Sequence, residues 1–284
     1  MSLPLLLAFA LQAAAILPAS APHEPVAADW RTIPDDEILI LRLDRDRRVV
    51  IRLAAALAPL HVANIRRLAR AGWWDGSSVY RVQENWVAQW GDATEKKPLP
   101  EGVATSVPPE FEIARFAPAV RLARPDPRAA AAGITADGWP VASDGQGRAW
   151  LTHCYGMVGV ARDAEPTSGT GAELFTPIGQ SARRLDRNYA VVGRIIEGMK
   201  WLSALSRSDA PLGIYATPAE RTPIVSATLA SDLPTTARPR FQYRAADNPR
   251  FEAALRRREN PPAPTIGAGG IEVCEMPLET RPLP

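Results

Sequence analysis

Short apolar stretches rich in β-branched and aromatic residues recur through the middle of the chain and end at polar or glycine-containing turns. Residues 37–53, EILILRLDRDRRVVIRL, have two apolar arms around a polar DRDR centre, which predicts a β-hairpin. The further strand-like stretches are SSVYRV at 77–82, WVAQWGD at 86–92, YGMVGVA at 155–161, AELFTPI at 172–178, YAVVGRII at 189–196 and PIVSATLA at 223–230. The pattern predicts an antiparallel series of strands.

Two predicted helices interrupt this series. The first runs from Pro59, where a first-turn proline is tolerated, towards a C-terminal cap at Gly72. Its apolar residues at helical spacing are Val62, Ile65, Leu68 and Ala69. The second is predicted over residues 197–206. Many strands with two helices indicate a mainly β protein, a closed barrel capped by helices, because closure removes exposed sheet edges.

The first 21 residues have the pattern of a secretory signal peptide. An apolar run at 5–17 precedes the small residues ASA at 19–21, although cleavage after Ala19 or Ala28 also fits. The run is shorter than the roughly 20 residues that span a bilayer, which disfavours an uncleaved membrane anchor. We therefore predict an exported, periplasmic protein with no membrane insertion after the leader is removed.

The charge balance disfavours two classes of partner. Lys and Arg total 33 against 31 Asp and Glu, a net charge of +2, and the basic residues are interspersed with acidic ones. Neither nucleic acid nor an anionic membrane surface is therefore expected as a partner. We expect a monomer without a cofactor.

Two segments lie outside the strand series, which occupies a domain at residues 35–232. Residues 104–150 form a Pro- and Ala-rich insertion, which is too long for an ordinary loop and is expected to lie over the barrel. Residues 233–284 form a Pro-rich C-terminal extension, with a predicted helix at 249–258 and a predicted edge strand, IEVCEM, at 271–276.

The two cysteines, Cys154 and Cys274, permit one disulfide but do not require it, and two free thiols fit the sequence almost as well. Neither belongs to a C-x-x-C pair, and the side chain of the adjacent His153 would point to the opposite face of a strand. No metal site is predicted. His61 is expected on the surface of the first helix.

Residues 79–92, VYRVQENWVAQWGD, carry two polar residues, Arg81 and Gln89, within stretches that otherwise predict apolar strands. The order of an aromatic residue with an arginine, an aromatic and aliphatic pair, and Gln-x-Gly-Asp resembles the cyclophilins. These are peptidyl-prolyl cis/trans isomerases, and the resemblance extends over about residues 37–231. It implies a cyclophilin-like eight-stranded closed antiparallel barrel that accelerates rotation of X-Pro bonds in proline-containing polypeptides while exported proteins fold.

The resemblance also implies the site residues, with Arg81 as the catalytic one. The substrate-binding residues that it implies are Trp86, Val87 and Gln89 in VYRVQENWVAQWGD, Ala161 and Arg162 in GMVGVARD, Phe175 in SGTGAELF, and Leu185 and Tyr189 in RRLDRNYAVVGRIIEGM. Rotation breaks no bond, since its barrier of about 18 to 20 kcal/mol comes from partial double-bond character in the C–N bond. A fixed guanidinium aimed at the proline nitrogen would bind the twisted state better than either planar state.

Several positions depart from the family pattern. Arg184 stands where many eukaryotic members have a tryptophan that contacts cyclosporin, and Tyr189 stands where they have a histidine. The remaining departures are Trp90, Glu173 and Leu174. These changes are expected to alter the groove, so the alternative hypothesis is a weakly catalytic binding, chaperone or assembly module built on the same barrel.

Overall fold

The structure is a computed structural model that describes residues 22–163, 167–267 and 269–283. The predicted leader at 1–21 lies outside the described residues. The strands of the described part are β1 (Trp30–Thr32), β2 (Ile38–Leu43), β3 (Arg47–Leu53), β4 (Ser78–Val82), β5 (Val87–Gly91), β6 (Val120–Arg121), β7 (Ala131–Ile134), β8 (Pro140–Ser143), β9 (Ala149–Leu151), β10 (Met157–Val160), β11 (Leu174–Pro177), β12 (Val191–Glu197), β13 (Thr222–Leu229), β14 (Phe241–Arg244) and β15 (Thr280–Pro282). The α-helices are α1 (Pro59–Arg70), α2 (Met199–Ser203) and α3 (Pro249–Glu259).

Eight antiparallel strands close into one barrel in the order β10-β11-β5-β4-β13-β2-β3-β12, and β12 pairs with β10 to complete the ring. Each barrel strand corresponds to a stretch predicted as strand from the sequence. The β2–β3 hairpin turns through Arg45 and Asp46, whose φ angles of 55° and 54° are those of a tight hairpin turn. The predicted mainly β fold with a closed eight-stranded barrel is confirmed.

Strand β2 is apolar on both faces because both faces are covered. Leu39 and Leu41 lie in the barrel core. Ile38 and Ile40 point the other way and pack in a separate cluster with Phe241 of the C-terminal extension. Since successive strand residues face opposite sides, this run without alternation indicates a strand buried from within and from outside.

The helices are close to those predicted. The apolar face of α1, with Val62, Ile65 and Leu68, lies in the barrel core. Helix α2 is shorter than the predicted 197–206, because Glu197 still pairs in the sheet and Gly198 adopts a φ of +83°. No helix formed by the described residues is both long and apolar enough to cross a membrane.

The expected surface position of His61 is wrong. The side chain is fully buried, and its Nδ1 lies 2.7 Å from Oε2 of Glu110 in the insertion. The same carboxylate accepts the backbone N–H groups of Leu60 and His61 at 2.9 Å each. The insertion therefore covers the first turn of α1. The sequence of the helix alone does not indicate this cover.

The insertion has its own four-stranded antiparallel sheet, in the order β6-β7-β8-β9. This sheet shares a second hydrophobic core with the extension and with outward-facing barrel residues. Its members include Trp139, Trp150, Phe251, Leu255, Val273, Met157 and Val191. The insertion and the extension therefore form one packed layer against the outside of the barrel.

The extension contributes the predicted helix as α3, which Asn248 caps by accepting the Phe251 N–H at 2.9 Å. The predicted edge strand at 271–276 is wrong, since Val273–Glu275 form a 3-10 turn. The Glu275 carboxylate accepts the Glu272 N–H at 2.7 Å, a local bond that competes with strand pairing. The extension strands are instead β14 and β15, which form a sheet with β1 in the order β1-β14-β15.

Cys154 and Cys274 form a disulfide in the structure, with their Cα atoms 5.1 Å apart. Cys154 lies three residues before β10, and Cys274 lies in the 3-10 turn of the extension. The bridge therefore ties the C-terminal extension covalently to the barrel.

Candidate active site

Three adjacent barrel strands bring the main candidate residues into one row. The pairing of β11 with β5 places Phe175 opposite Gln89, and the pairing of β5 with β4 places Gln89 opposite Arg81. The register between β4 and β5 shifts between Val79 and Arg81, and such irregularities re-aim side chains beside functional sites. Residues distant in the sequence thus share one surface, which we call the Arg81 row (Arg81, Gln89 and Phe175).

Arg81 is held by three acceptors. Its Nε donates to the carbonyl of Leu212 at 2.7 Å, its Nη1 to Oε1 of Gln89 at 3.1 Å, and its Nη2 to Oε1 of Gln83 at 2.8 Å. Partial burial lowers the pKa of Arg81 below its usual value. Because the pKa of an arginine starts so high, the guanidinium stays charged. A guanidinium carries five N–H donors, so Nη1 and Nη2 each retain one donor for a ligand.

Aromatic rings form the floor beside this arginine. The Phe175 ring stacks on His153 at a centroid distance of 5.9 Å, and it meets Tyr189 edge to face at 5.7 Å. Strand β10 passes next to the ring at Gly159, where a Cβ atom would lie 2.4 Å from Phe175 Cζ. Only glycine leaves room for the phenylalanine ring at this position, and the ring is buried.

The remaining predicted binding residues lie on the segments that border this floor. Val87 is buried at the start of β5 and pairs with Pro177, whereas the preceding Trp86 is half-buried. Leu185 is half-buried at the end of the 3-10 turn Ser181–Leu185. The guanidinium of Arg184 lies over the Trp86 ring at 5.4 Å, which brings this turn against the start of β5.

Ala161 and Arg162 border the other end of the floor. The Ala161 N–H donates to the carbonyl of Glu173 at 2.9 Å, which holds the end of β10 beside β11. The guanidinium of Arg162 lies over the Tyr189 ring at 5.0 Å, and its Nε donates to the Asn188 carbonyl at 2.9 Å. The structure thus brings all nine predicted residues to adjoining segments around the Arg81 row.

Comparison with known proteins decides the family. The family model described as "Cyclophilin type peptidyl-prolyl cis-trans isomerase/CLD" matches residues 38–229, which is more than half of the chain. The chain belongs to the cyclophilin family. This cyclophilin is a peptidyl-prolyl cis-trans isomerase.

Similar proteins agree with this assignment. Probable peptidyl-prolyl cis-trans isomerases of Brucella suis biovar 1 and Brucella abortus are 26% identical over 198 residues, which cover 69% of this chain and 84% of each relative. The crystal structure of cyclophilin AquaCyp293 from Hirschia baltica is 27% identical with a TM-score of 0.68, and the match covers 89% of this chain and 93% of that one. This structural match is longer than residues 38–229, so it includes residues outside the family match.

The cyclophilin pocket floor rests on a polar network that was not predicted from the sequence. Asp186 accepts the His153 backbone N–H at 2.8 Å and lies 3.1 Å from its ring Nδ1. Arg183 joins Asp186 to Asp126 of the insertion at 2.6 and 2.9 Å. Burial opposes ionisation of Asp186, yet the bonds from His153 and the charge of Arg183 lower its pKa. The insertion is therefore connected to the ring beneath Phe175.

The polar side of the cyclophilin groove has a second unpredicted feature, a chain of hydrogen bonds behind Arg81. Gln89 donates through Nε2 to the Tyr80 hydroxyl. That hydroxyl donates to Oε2 of Glu173 at 2.9 Å, and the Asp92 N–H donates to Oε1 of the same carboxylate at 2.6 Å. Burial raises the pKa of Glu173 to about 7. We call these residues the Glu173 relay (Glu173, Tyr80 and Gln89).

Two of the departures from the family pattern do not line the groove. Trp90 and Leu174 are fully buried in the barrel core and lie opposite each other on β5 and β11. The expectation that both alter the groove is therefore wrong, because their side chains fill the barrel interior. Arg184 and Tyr189 are departures whose side chains contact predicted site residues, Trp86 and Phe175 respectively, and Glu173 bonds to Tyr80 behind Gln89.

Arg184 leads to a prediction about inhibition. Its side chain is exposed and its guanidinium covers one face of Trp86. An arginine lacks the rigid wall and the indole donor of a tryptophan, so cyclosporin should inhibit this protein much more weakly than it inhibits tryptophan-containing cyclophilins. Arg184→Trp should strengthen inhibition by about tenfold or more, measured as Ki in an isomerase assay. Nanomolar inhibition of the unchanged protein would contradict this prediction.

Within the described ranges, no group of three or more His, Cys, Asp or Glu side chains is arranged to hold a metal ion.

Proposed function

We propose that this cyclophilin is exported to the periplasm and there accelerates X-Pro isomerisation while other exported proteins fold. The observation that carries the catalytic part is the Arg81 row, in which a fixed guanidinium stands beside an apolar aromatic floor. Uncatalysed isomerisation takes tens to hundreds of seconds and can limit folding, so a folding role is physically reasonable.

The proposed mechanism uses binding and one donor. The proline ring lies on the Phe175 floor, bordered by Val87 and Leu185, while Gln89 and the backbone near Ala161 hold the flanking peptide. As the C–N bond twists, the proline nitrogen gains lone-pair character and accepts a hydrogen bond from Arg81. That bond is absent in either planar state, so it lowers the barrier without stabilising the ground states.

Two features support export. The apolar run at 5–17 and the small residues at 19–21 resemble a cleaved leader. The Cys154–Cys274 disulfide in the structure suits an oxidising compartment, since such bonds are rare in the bacterial cytosol.

Export is tested by expressing the full chain in a Gram-negative host and fractionating the cells. We expect a periplasmic product whose N-terminus begins near residue 22, whose two cysteines resist alkylation without reductant, and which sediments as a monomer. A full-length cytosolic product with two alkylatable thiols would contradict the proposal. A chain without residues 1–21 is the control and should stay in the cytosol.

The binding-module alternative is supported by two departures, Arg184 over the Trp86 ring and Glu173 in the relay that reaches Gln89. It predicts peptide binding with little catalysis. A protease-coupled assay on an Ala-Pro peptide separates the two, because an active isomerase accelerates cleavage of the cis fraction whereas a binding module leaves that phase unchanged.

A further inference from the structure

We propose that Glu173 is a positioning residue for the isomerase reaction, and that its ionised form holds Gln89 and, through it, Arg81 in the catalytic arrangement. This inference rests on the isomerase function of the Arg81 row. It assigns a role to a carboxyl group that does not itself touch the substrate.

Donor and acceptor rules fix the direction of every bond in the Glu173 relay. Arg81 can only donate, so the Gln89 amide must turn Oε1 towards it, at 3.1 Å from Nη1. The amide then turns its Nε2 donor towards the Tyr80 hydroxyl, whose oxygen accepts that bond. The Tyr80 proton must point elsewhere, and Oε2 of Glu173 accepts it at 2.9 Å.

The ionised carboxylate therefore favours the same orientation of the Gln89 amide that Arg81 requires. An ionised carboxylate only accepts, which forces Tyr80 to donate to it through a charge-assisted bond. A protonated carboxyl group can donate to Tyr80 instead. Tyr80 is then free to donate towards Gln89, and an amide that accepts this bond turns its NH2 group towards the Arg81 guanidinium, two donors against each other.

The backbone is shaped to admit this carboxylate. Gly91 has a φ of +151°, and a Cβ atom there would lie 2.1 Å from Oε2 of Glu173. The next residue, Asp92, donates its N–H to Oε1 at 2.6 Å. Both carboxylate oxygens thus have a donor, and a side chain at position 91 would occupy their space.

Burial and the groups that face Glu173 bring the pKa of its carboxyl group to about 7. Burial is the main cause that raises its pKa to about 7, and the negative charges of Asp92 and Glu95 after β5 act in the same direction. The Asp92 N–H and the Tyr80 hydroxyl on β4 oppose them. As pH rises through about 7, the carboxylate forms and the catalytic arrangement is favoured, so activity should rise.

The test is the pH dependence of kcat/KM, measured by protease-free NMR exchange on an Ala-Pro peptide without titratable side chains, from about pH 5.5 to about pH 8.5. The unchanged protein should gain about three- to tenfold with a midpoint near pH 7. Glu173→Gln, which cannot ionise, should stay at the low value across the range. Glu101→Gln, an exposed carboxylate outside the relay, is the matched control and should keep the normal profile.

A double-mutant cycle separates positioning from a merely structural role. Tyr80→Phe breaks the relay between Glu173 and Gln89, so it should also give a low, flat profile. Adding Glu173→Gln to Tyr80→Phe should then cost nothing further. Additive losses in this cycle, or a normal profile in Glu173→Gln, would overturn the proposal.

The unfolding temperature of Glu173→Gln is expected to change in the opposite direction to its activity. A carboxyl whose pKa is raised by folding stabilises the fold most below its unfolded pKa, and this contribution is lost as pH rises through about 7. At about pH 8, Glu173→Gln should therefore unfold at a higher temperature than the unchanged protein while being less active. A variant that loses both activity and stability would show that Glu173 is structural and would overturn the inference.

The outcomes for the relay and for the isomerase function are distinct. If the unchanged protein is inactive at every pH, the isomerase function fails. If the unchanged protein is active and Arg81→Ala is not, while Glu173→Gln keeps the normal profile, the Arg81 row stands and the Glu173 relay fails.

Discussion

Arg81→Ala is expected to lower kcat/KM for an Ala-Pro peptide at least tenfold, which corresponds to about 1.4 kcal/mol of lost transition-state stabilisation. The physical reason is that the guanidinium donates to a nitrogen that becomes an acceptor only in the twisted state. Its three protein acceptors hold the side chain in place before substrate arrives, so little reorganisation is needed. The loss should appear mainly in kcat, because the planar ground states do not use this bond.

Two further variants sharpen the measurement. Arg81→Lys keeps a positive charge but loses the planar fork that reaches Leu212, Gln83 and Gln89 together, so it should restore only a small part of the rate. Arg42→Ala removes an exposed arginine from another barrel strand and should leave the rate unchanged. A normal rate in a folded Arg81→Ala protein, with circular dichroism like that of the parent, would remove Arg81 from the mechanism.

The barrel could be predicted because its signal is local. Each of its strands is a short run of β-branched and aromatic residues bounded by turn residues, and the hairpin at 37–53 has its turn at a charged centre. The Arg81 row could be predicted from the family resemblance, since the order of motifs along the chain places Arg81, Gln89 and Phe175 on known strands. Periodicity alone would not have paired them.

The layer outside the barrel was harder to predict, because its core is shared between distant segments. Phe251 of the extension and Trp139 of the insertion belong to one hydrophobic core although they are distant in the sequence. The burial of His61 was also hard to predict, because the residue that covers it, Glu110, belongs to the insertion. In the extension, IEVCEM is a short, mostly apolar stretch that resembles a strand, yet the Glu272 and Glu275 pair favours a local turn.

The Glu173 relay shows a different limit. Tyr80 and Glu173 are 93 residues apart, and their contact depends on barrel closure and on the absence of a side chain at Gly91. The sequence did carry one signal, because Glu173 is one of the departures from the family pattern. The groups that bond to its carboxylate, the Tyr80 hydroxyl and the Asp92 N–H, are identified only in the folded barrel.

Loss of the Cys154–Cys274 bridge is expected to destabilise the folded protein by about 4 to 5 kcal/mol, because the bond closes a loop with a sequence separation of 120 residues. Without the bond, the extension is held by the second core, by the β1-β14-β15 sheet and by bonds such as that between the Val273 N–H and Asp126. These contacts persist in the native state, so the effect comes mainly from greater freedom of the unfolded chain.

The measurement is the thermal unfolding midpoint of the folded, oxidised protein with and without reductant. For a protein of this size, the expected loss lowers the midpoint by about 10 °C. The Cys154→Ser and Cys274→Ser double variant should unfold near the lower midpoint and should not respond to reductant, which controls for effects of the reductant itself. The Arg81 row contains neither cysteine, so the variant should lose less activity than Arg81→Ala. Equal midpoints in the two conditions, with the bridge verified by mass spectrometry of non-reduced peptides, would show that packing alone holds the extension.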